Sequence, residues 1–156
     1  MEVFFYGGGG GYYDDGEVVG VDVFVHDGAD LIGLARWLLQ AERQEEALSL
    51  FRRALAMGLP DDLNFRTMWD VAQIERRAGR QDASLALFTE LAAARNPYRV
   101  RAFEEISKHY EHREKNYAMA LEMVRNALAL CDTPEIRRRE ERLKARIARR
   151  PRSLVL

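Results

Sequence analysis

Few residues of this chain could carry chemistry, and those few are scattered. His109 and His112 are three positions apart, so on a helix they lie near one face and could both bind zinc. A third ligand would have to be Glu105, Glu111 or Cys131, and none of these stands at a recognisable metal-site spacing. We therefore interpret the two histidines as solvated side chains at a helix hairpin, and we expect no metal or other cofactor.

Two further features invite a catalytic interpretation. The five glycines from Gly7 to Gly11 could form a phosphate loop, but the run lacks the Gly-Lys-Ser/Thr ending and no helix follows it directly. We therefore interpret the glycine run as a flexible linker.

Cys131 is the only cysteine, which excludes an internal disulfide and fits a reducing compartment. We expect it to be a buried, inert thiol at a helix end, and no residue set forms a complete active site, so the predicted protein is not an enzyme.

Composition sets broad limits on class and partner. With 156 residues and a formal charge of −1, the chain is about one domain long and is not basic overall. Residues 1–30 contain seven acids and no Lys or Arg, whereas residues 133–152 contain nine bases and three acids. No apolar run approaches the roughly 18 residues that span a bilayer, and the apolar start breaks at Gly7. The sequence therefore predicts a cytoplasmic protein without a membrane partner.

The elements that must position these residues follow a repeat. Phe51, Phe88 and Val124 stand 37 and 36 residues apart, and Ala47, Ser84 and Ala120 show the same steps (47, 84, 120). A fixed period between about 20 and 50 residues is typical of a repeat array. Apolar residues recur at helical spacing throughout this stretch. We predict an all-α chain.

The predicted helices have recognisable starts and stops. Asp30 is expected to cap the first helix, and Gly58 and Gly79 are expected to end helices. Asn96-Pro97 and Thr133-Pro134 each have the form of an N-cap followed by proline at the first helical position. The predicted organisation is a Gly-rich, acidic and partly β-prone segment (1–29), three helix hairpins (30–59, 61–95 and 97–132), a basic capping helix (133–150) and a tail (151–156).

The residues at the repeated positions resemble those of the tetratricopeptide repeat. That family places small residues where helix A crosses helix B, and an aromatic residue and a further small residue along helix B. The matching residues are Ala35, Ala47, Phe51 and Ala54; then Ala72, Ser84, Phe88 and Leu91, with Gly79 at the turn; then Ser107, Ala120, Val124 and Ala127. The resemblance implies a right-handed superhelical solenoid of three hairpins with a concave, peptide-binding groove. The departures are a longer period, the absence of the turn glycine from repeats one and three, and Leu91 in a small-residue slot.

A shorter segment resembles a second family. His26 to Leu34 is similar to the His-Asn-x-x-Asp-Leu/Ile-x-x-Leu segment that ends the RNase H-like exonuclease domain of bacterial proteins with a C-terminal repeat array. In those nucleases the aspartate that matches Asp30 is one of several carboxylates that hold two metal ions. Only 29 residues precede Asp30 in this sequence, which leaves no sheet to supply the others. We therefore expect Asp30 to be a helix cap.

The tetratricopeptide resemblance also predicts the groove residues. Transferring the family's helix-A positions selects fifteen, of which six are Arg or Lys and two are acids. They are Ala29, Ile32, Arg36, Leu39, Gln40, Arg66, Trp69, Gln73, Arg76, Arg77, Arg101, Glu104, Lys108, Glu111 and His112. The predicted partner-binding set is Arg36, Gln40, Arg66, Trp69, Gln73, Arg76, Arg77, Arg101 and Lys108. Such a face should attract an acidic peptide or a terminal carboxylate, with Trp69 as an anchor; the simpler alternative is a solvated helix face.

The predicted function is a non-catalytic protein-interaction module that binds an acidic peptide or partner surface. The alternative is an accessory or truncated part of an RNase H-like exonuclease system, in which the helices contact nucleic acid. A third hypothesis follows from the charge asymmetry alone: the acidic head covers the groove, so deleting residues 1–28 should raise partner affinity.

Overall fold

The computed structural model describes residues 27–149, which form seven helices and contain no strand. The helices are α1 (Gly28–Gln40), α2 (Gln44–Met57), α3 (Asp61–Arg77), α4 (Gln81–Ala93), α5 (Arg99–His112), α6 (Tyr117–Leu130) and α7 (Pro134–Arg149). The chain is therefore all-α over this range, as predicted. Most of the predicted Gly-rich segment and the tail lie outside the described residues. None of the seven helices is long and apolar enough to cross a membrane.

Each helix packs mainly on the next one in sequence, so the core runs along the array. The first buried cluster joins α1 and α2 around Phe51 and also takes in Val71 and Ile74 of α3. The second surrounds Phe88 and takes in Ile106 of α5, and the third joins α6 and α7 around Val124. Contacts between neighbours therefore dominate, which is the pattern expected of a helical array.

Small residues allow the two helices of each hairpin to approach closely. Ser84 Oγ donates a hydrogen bond to the carbonyl oxygen of Ala72 (2.9 Å), and Ser107 Oγ donates one to that of Ala120 (3.0 Å). All four residues are buried. The predicted crossing positions therefore lie opposite each other in the second and third hairpins. A buried serine is tolerated there because its hydroxyl bonds to the backbone.

A residue in the left-handed backbone conformation lies in the turn of each of the three hairpins. Glu42, Gly79 and Lys115 have φ angles of 60°, 80° and 55°, in the left-handed region. Their spacing reproduces the repeat steps, 37 and then 36 residues (42, 79, 115). After the first two turns, Arg43 N–H and Arg80 N–H each donate to a carbonyl oxygen five residues back, at 2.9 Å. In repeats one and three a residue other than glycine therefore adopts the left-handed conformation that Gly79 adopts in repeat two.

Two predicted helix starts are wrong. Asp27, and not Asp30, caps α1, because its Oδ1 accepts from the N–H groups of Ala29 (2.8 Å) and Asp30 (3.1 Å). Asp30 instead lies in the first turn, where a negative charge suits the positive end of the helix dipole.

The fifth helix starts later than predicted, whereas the seventh starts as predicted. Asn96 Oδ1 accepts from Tyr98 N–H (2.8 Å) in a turn, so α5 begins only at Arg99. At α7, Pro134 is the first helical residue and Thr133 Oγ1 accepts from Ile136 N–H (3.3 Å), which confirms the predicted cap.

One expectation about burial near the end of the array needs correction. Cys131 is exposed after the end of α6, and not buried as predicted. In α7, Ile136 and Leu143 are buried whereas Ile147 is 38% exposed. Two apolar side chains are a small contact for a helix of 16 residues, so polar contacts must contribute to its packing.

Candidate partner-binding groove

The predicted groove residues lie on the odd-numbered helices α1, α3 and α5, and ion pairs connect these helices. Arg36 Nη2 of α1 lies 3.8 Å from Asp70 Oδ2 of α3, and Arg76 Nη1 of α3 lies 3.6 Å from Glu105 Oε2 of α5. The odd helices are therefore close enough for long side chains to bridge them. They present one surface, which we call the odd-helix face and define by Arg36, Arg66, Asp70, Gln73, Arg76, Glu105 and Lys108.

Asp70 is the acid of the first half of this face. Partial burial raises the pKa of its carboxyl group, and the positive charges of Arg36 and Arg66 oppose that shift. Because the pKa rises, desolvation outweighs the two arginines. Two bases therefore lie near one acid, and partial burial makes the charged form of that acid less favourable than it is in water.

Glu105 is the acid of the second half. Its Oε1 accepts from Lys108 Nζ at 2.7 Å and its Oε2 faces Arg76 at 3.6 Å, while its own side chain is only 12% exposed. Arg76 also donates to Gln73 Oε1 at 2.9 Å. This half again places two bases around one acid, and neighbouring groups on the protein fix the side chain of Arg76.

The sequence-based set of groove residues missed both acids. Asp70 and Glu105 each stand two positions before the small residue at the helix crossing, Ala72 and Ser107, so the repeat places them in one structural slot. The family's groove positions do not include this slot, and the charge balance predicted for the face was therefore too basic. Aligning the repeats and asking which slots hold an acid twice would have found them.

A cleft of about 310 Å³ opens between α3, α4 and α5. Leu85 and Phe88 contribute apolar surface to it, and its polar lining includes Arg76, Lys108 and Arg113. Pockets for small molecules start at about 300 Å³, so this cleft suits one or two side chains of a partner. Arg113 was not predicted as a groove residue.

The side chain of Trp69 packs against other aromatic rings of the protein, which limits the surface it can offer to a partner. Its ring is stacked on Tyr98, with centroids 5.5 Å apart, and lies 5.4 Å from the Phe88 ring in a tilted arrangement. The side chain is half-buried in the second core cluster. A partner would therefore contact only the remaining part of the indole.

Several other positions of the predicted fifteen do not contribute to the cleft. Gln40, Arg77 and Arg101 are exposed and do not line the cleft. Ile32 (2% exposed) and Glu111 (0%) are buried, so assigning them to the groove was wrong. Ile32 belongs to the first core cluster.

Glu111 instead holds the last helix. Its Oε2 accepts from Arg142 Nη2 (2.9 Å) and Arg139 Nη1 (3.2 Å), and Arg146 Nη1 lies 3.7 Å from its Oε1. Arg137 pairs with Asp132, and Lys144 with Glu140 and Glu141. Much of the basic charge of α7 is therefore engaged in packing, which the sequence did not reveal.

Three bases near the end of α7 surround a second concavity of about 350 Å³. Its lining is Lys115, Tyr117, Arg146 and Arg149, and it contains no acid. The Arg146 guanidinium carbon lies 5.5 Å from the centre of the Tyr117 ring, an arrangement that favours a cation–π contact.

The two histidines both line the cleft between α3, α4 and α5, and each lies near a different glutamate. His109 Nε2 lies 3.0 Å from Glu114 Oε1, and His112 Nε2 lies 3.8 Å from Glu111 Oε2. Over residues 27–149, no three His, Cys, Asp or Glu side chains are grouped as metal ligands. Asp30 therefore lies in no carboxylate cluster of that part of the chain.

No known family profile matches the sequence. The chain is similar to the uncharacterized protein YprB of Bacillus subtilis strain 168, with 24% identity over 123 residues. That match covers 78% of this chain and 29% of YprB, so this chain corresponds to less than a third of the relative's length.

Proposed function

We propose that this protein is a tetratricopeptide-type interaction module without catalytic activity, which binds an acidic segment of another protein on its odd-helix face. Support for the repeat type comes from the period, the hydrogen-bonded crossing positions and the recurring left-handed turn. The right-handed superhelix and the cytoplasmic location are parts of this proposal.

One observation carries the binding proposal: each acid of the odd-helix face is shared by two bases. Arg36 and Arg66 act on Asp70, and Arg76 and Lys108 contact Glu105. The surplus of positive charge is available to a partner's carboxylates. Arginine offers them bidentate hydrogen bonds, and the partly exposed setting makes the attraction sensitive to salt.

Reversing the charge of Arg66 and Arg76 together should weaken this binding. The probe is a set of peptides of graded negative charge, with free or amidated C termini, measured by fluorescence anisotropy. We expect about a tenfold loss of affinity, because two attractive contacts become repulsive. Partner capture from a lysate should fall in parallel.

The matched control is Arg138→Glu, which makes the same type of change at an exposed site on α7. It should leave peptide affinity within about twofold of the wild type, since it lies outside the face. Equal binding by the wild type and the Arg66→Glu/Arg76→Glu variant would contradict the proposal.

A second candidate function is contact with nucleic acid, favoured by the acid-free concavity of Lys115, Arg146 and Arg149. This candidate predicts a gel shift that weakens steeply with salt, with a logarithmic slope of about −2 to −3 for three phosphate contacts. Lys115→Glu with Arg149→Glu should abolish the shift, whereas Arg66→Glu with Arg76→Glu should retain it. Absence of a shift at low salt would exclude this candidate.

A further inference from the structure

The acid-free concavity between α6 and α7, lined by Lys115, Tyr117, Arg146 and Arg149, is called here the basic concavity. Within residues 27–149, neither Lys115 nor Arg149 forms an ion pair. Arg146 Nη1 lies 3.7 Å from Glu111 Oε1, which is too long for a hydrogen bond. The positive charge of all three bases is therefore available to an anion.

This available charge is concentrated at one place on α7. Most other bases of that helix are held by acids: Arg137 by Asp132, Arg139 and Arg142 by Glu111, and Lys144 by Glu140 and Glu141. Arg138 is exposed but stands about 16 Å along the helix from Arg149. A nucleic-acid strand carries a charge about every 3.4 Å, so a strand lying along α7 would find few available bases. The basic concavity instead suits one compact group with several negative charges.

The start of α6 adds to the positive potential. Tyr117 is the first residue of this helix, so the basic concavity adjoins the positive end of the helix dipole. Asn116 Oδ1 accepts from Met119 N–H at 3.2 Å. The N–H groups of Tyr117 and Ala118 have no hydrogen-bond partner within residues 27–149 and can donate to an anion.

We propose that the basic concavity binds the terminal phosphate of a nucleic-acid strand together with the phosphodiester next to it. This inference rests on the second candidate function and specifies which part of the nucleic acid is bound. A phosphate monoester carries a charge of about −1.5 to −2 at pH 7, and the adjoining phosphodiester adds one more negative charge. The sum is close to the opposite charge of Lys115, Arg146 and Arg149.

The lining favours a nucleotide over a phosphorylated peptide. Beside the three bases stands Tyr117, whose ring centre lies 5.5 Å from the Arg146 guanidinium carbon. Aromatic rings and guanidinium planes both stack with nucleic-acid bases, and a volume of about 350 Å³ leaves room for a nucleoside beside its phosphate. Peptide recognition uses pockets for side chains, and the apolar Leu85 and Phe88 line the other cleft instead.

Binding of short single strands to the full chain tests the proposal. Each strand carries a fluorophore at one end and either a phosphate or a hydroxyl at the other, and the affinity is measured by fluorescence anisotropy at low salt. A terminal phosphate should raise the affinity about tenfold, because it adds charge-assisted hydrogen bonds. Strands with 5′ and with 3′ phosphates identify the preferred end.

Lys115→Gln/Arg149→Gln should reduce this preference to less than about twofold. Both side chains are exposed and form no ion pair within the described residues, so the fold should be retained, which circular dichroism verifies. Arg95→Gln/Arg138→Gln is the matched control, since it removes the same charge at two exposed positions outside the basic concavity. This control should keep the full preference for a terminal phosphate.

Four results would overturn the proposal. Equal affinity for phosphate and hydroxyl ends, with binding still lost in Lys115→Gln/Arg149→Gln, would leave the second candidate function standing without the terminal phosphate. Absence of binding to every strand would overturn both. A preference that persists in Lys115→Gln/Arg149→Gln would place the phosphate elsewhere on the protein. Stronger competition by a phosphoserine peptide than by a phosphorylated dinucleotide would assign the basic concavity to a phosphorylated protein.

Discussion

Replacing Arg80 with methionine should lower the free energy of unfolding more than replacing Glu75 with methionine does. The Glu75 side chain is only 1% exposed and accepts hydrogen bonds from Arg52 and Arg80, whose side chains are 57% and 39% exposed. Loss of Arg80 leaves a buried carboxylate with one partner fewer. Loss of the carboxylate lets both arginines turn to water, and methionine fills the space.

The two variants should also differ in their pH dependence. In the wild type, hydrogen bonds from Arg80 and Arg52 outweigh the effect of burial and hold the pKa of Glu75 below the usual 4.5. A lowered pKa in the folded state contributes stability above about pH 4.5, which is lost as the pH falls through the folded-state value. Without Arg80, burial raises that pKa relative to the wild type, so the deficit of Arg80→Met should narrow on acidification.

Urea denaturation at pH 7 and at pH 4 measures both effects. Arg125→Met is the matched control, because Arg125 is 60% exposed and pairs at 3.4 Å with the partly buried Glu140. It should cost less than about 1 kcal/mol. The prediction is contradicted if Arg80→Met and Glu75→Met lower the free energy of unfolding equally at both pH values. The stability contribution of Glu75 would then not depend on its arginines.

Phe51→Ala should be the most damaging single truncation, at about 4 kcal/mol. Phe51 is fully buried in the cluster that joins α1, α2 and α3, so alanine leaves a cavity where two hairpins meet. Because contacts run mainly between neighbouring helices, the damage should concentrate at that end of the array.

Hydrogen exchange followed by mass spectrometry can locate the damage. Phe51→Ala should remove protection chiefly from α1 to α3, whereas Val124→Ala, in the equivalent slot of the third hairpin, should affect α5 to α7. Uniform loss of protection in both variants would indicate one cooperative unit instead of a chain of coupled hairpins.

The sequence predicts the helices well because their signals are local and repeated. Apolar spacing and small crossing residues depend on positions within one hairpin, and Thr133-Pro134 encodes its own helix start. Asp27 and Asp30 could not be ranked as caps, since both are good capping residues three positions apart. The left-handed turns at Glu42 and Lys115 could not be predicted either, because glycine is the residue type that indicates this conformation in a sequence.

The charges were harder to predict, because their roles depend on contacts between hairpins. Glu75 and Glu111 look like surface residues at the ends of helices, but Arg52 of α2 contacts the first and arginines of α7 contact the second. Asp70 and Glu105 pair with arginines more than 25 residues away (36 with 70, 76 with 105). Helical periodicity predicts the helix face on which a side chain lies. It does not predict which residue of a neighbouring hairpin that side chain contacts.

The ion pairs between odd helices also bear on the mechanics of the array. Arg36–Asp70, Arg76–Glu105 and the arginines around Glu111 bridge successive junctions, so an end-to-end pull would load them in series. The first two are partly exposed and weaken as salt screens them, whereas the last surrounds a fully buried carboxylate. Added salt should therefore weaken the ion pairs among the first three odd helices more than the contacts that Glu111 makes with α7.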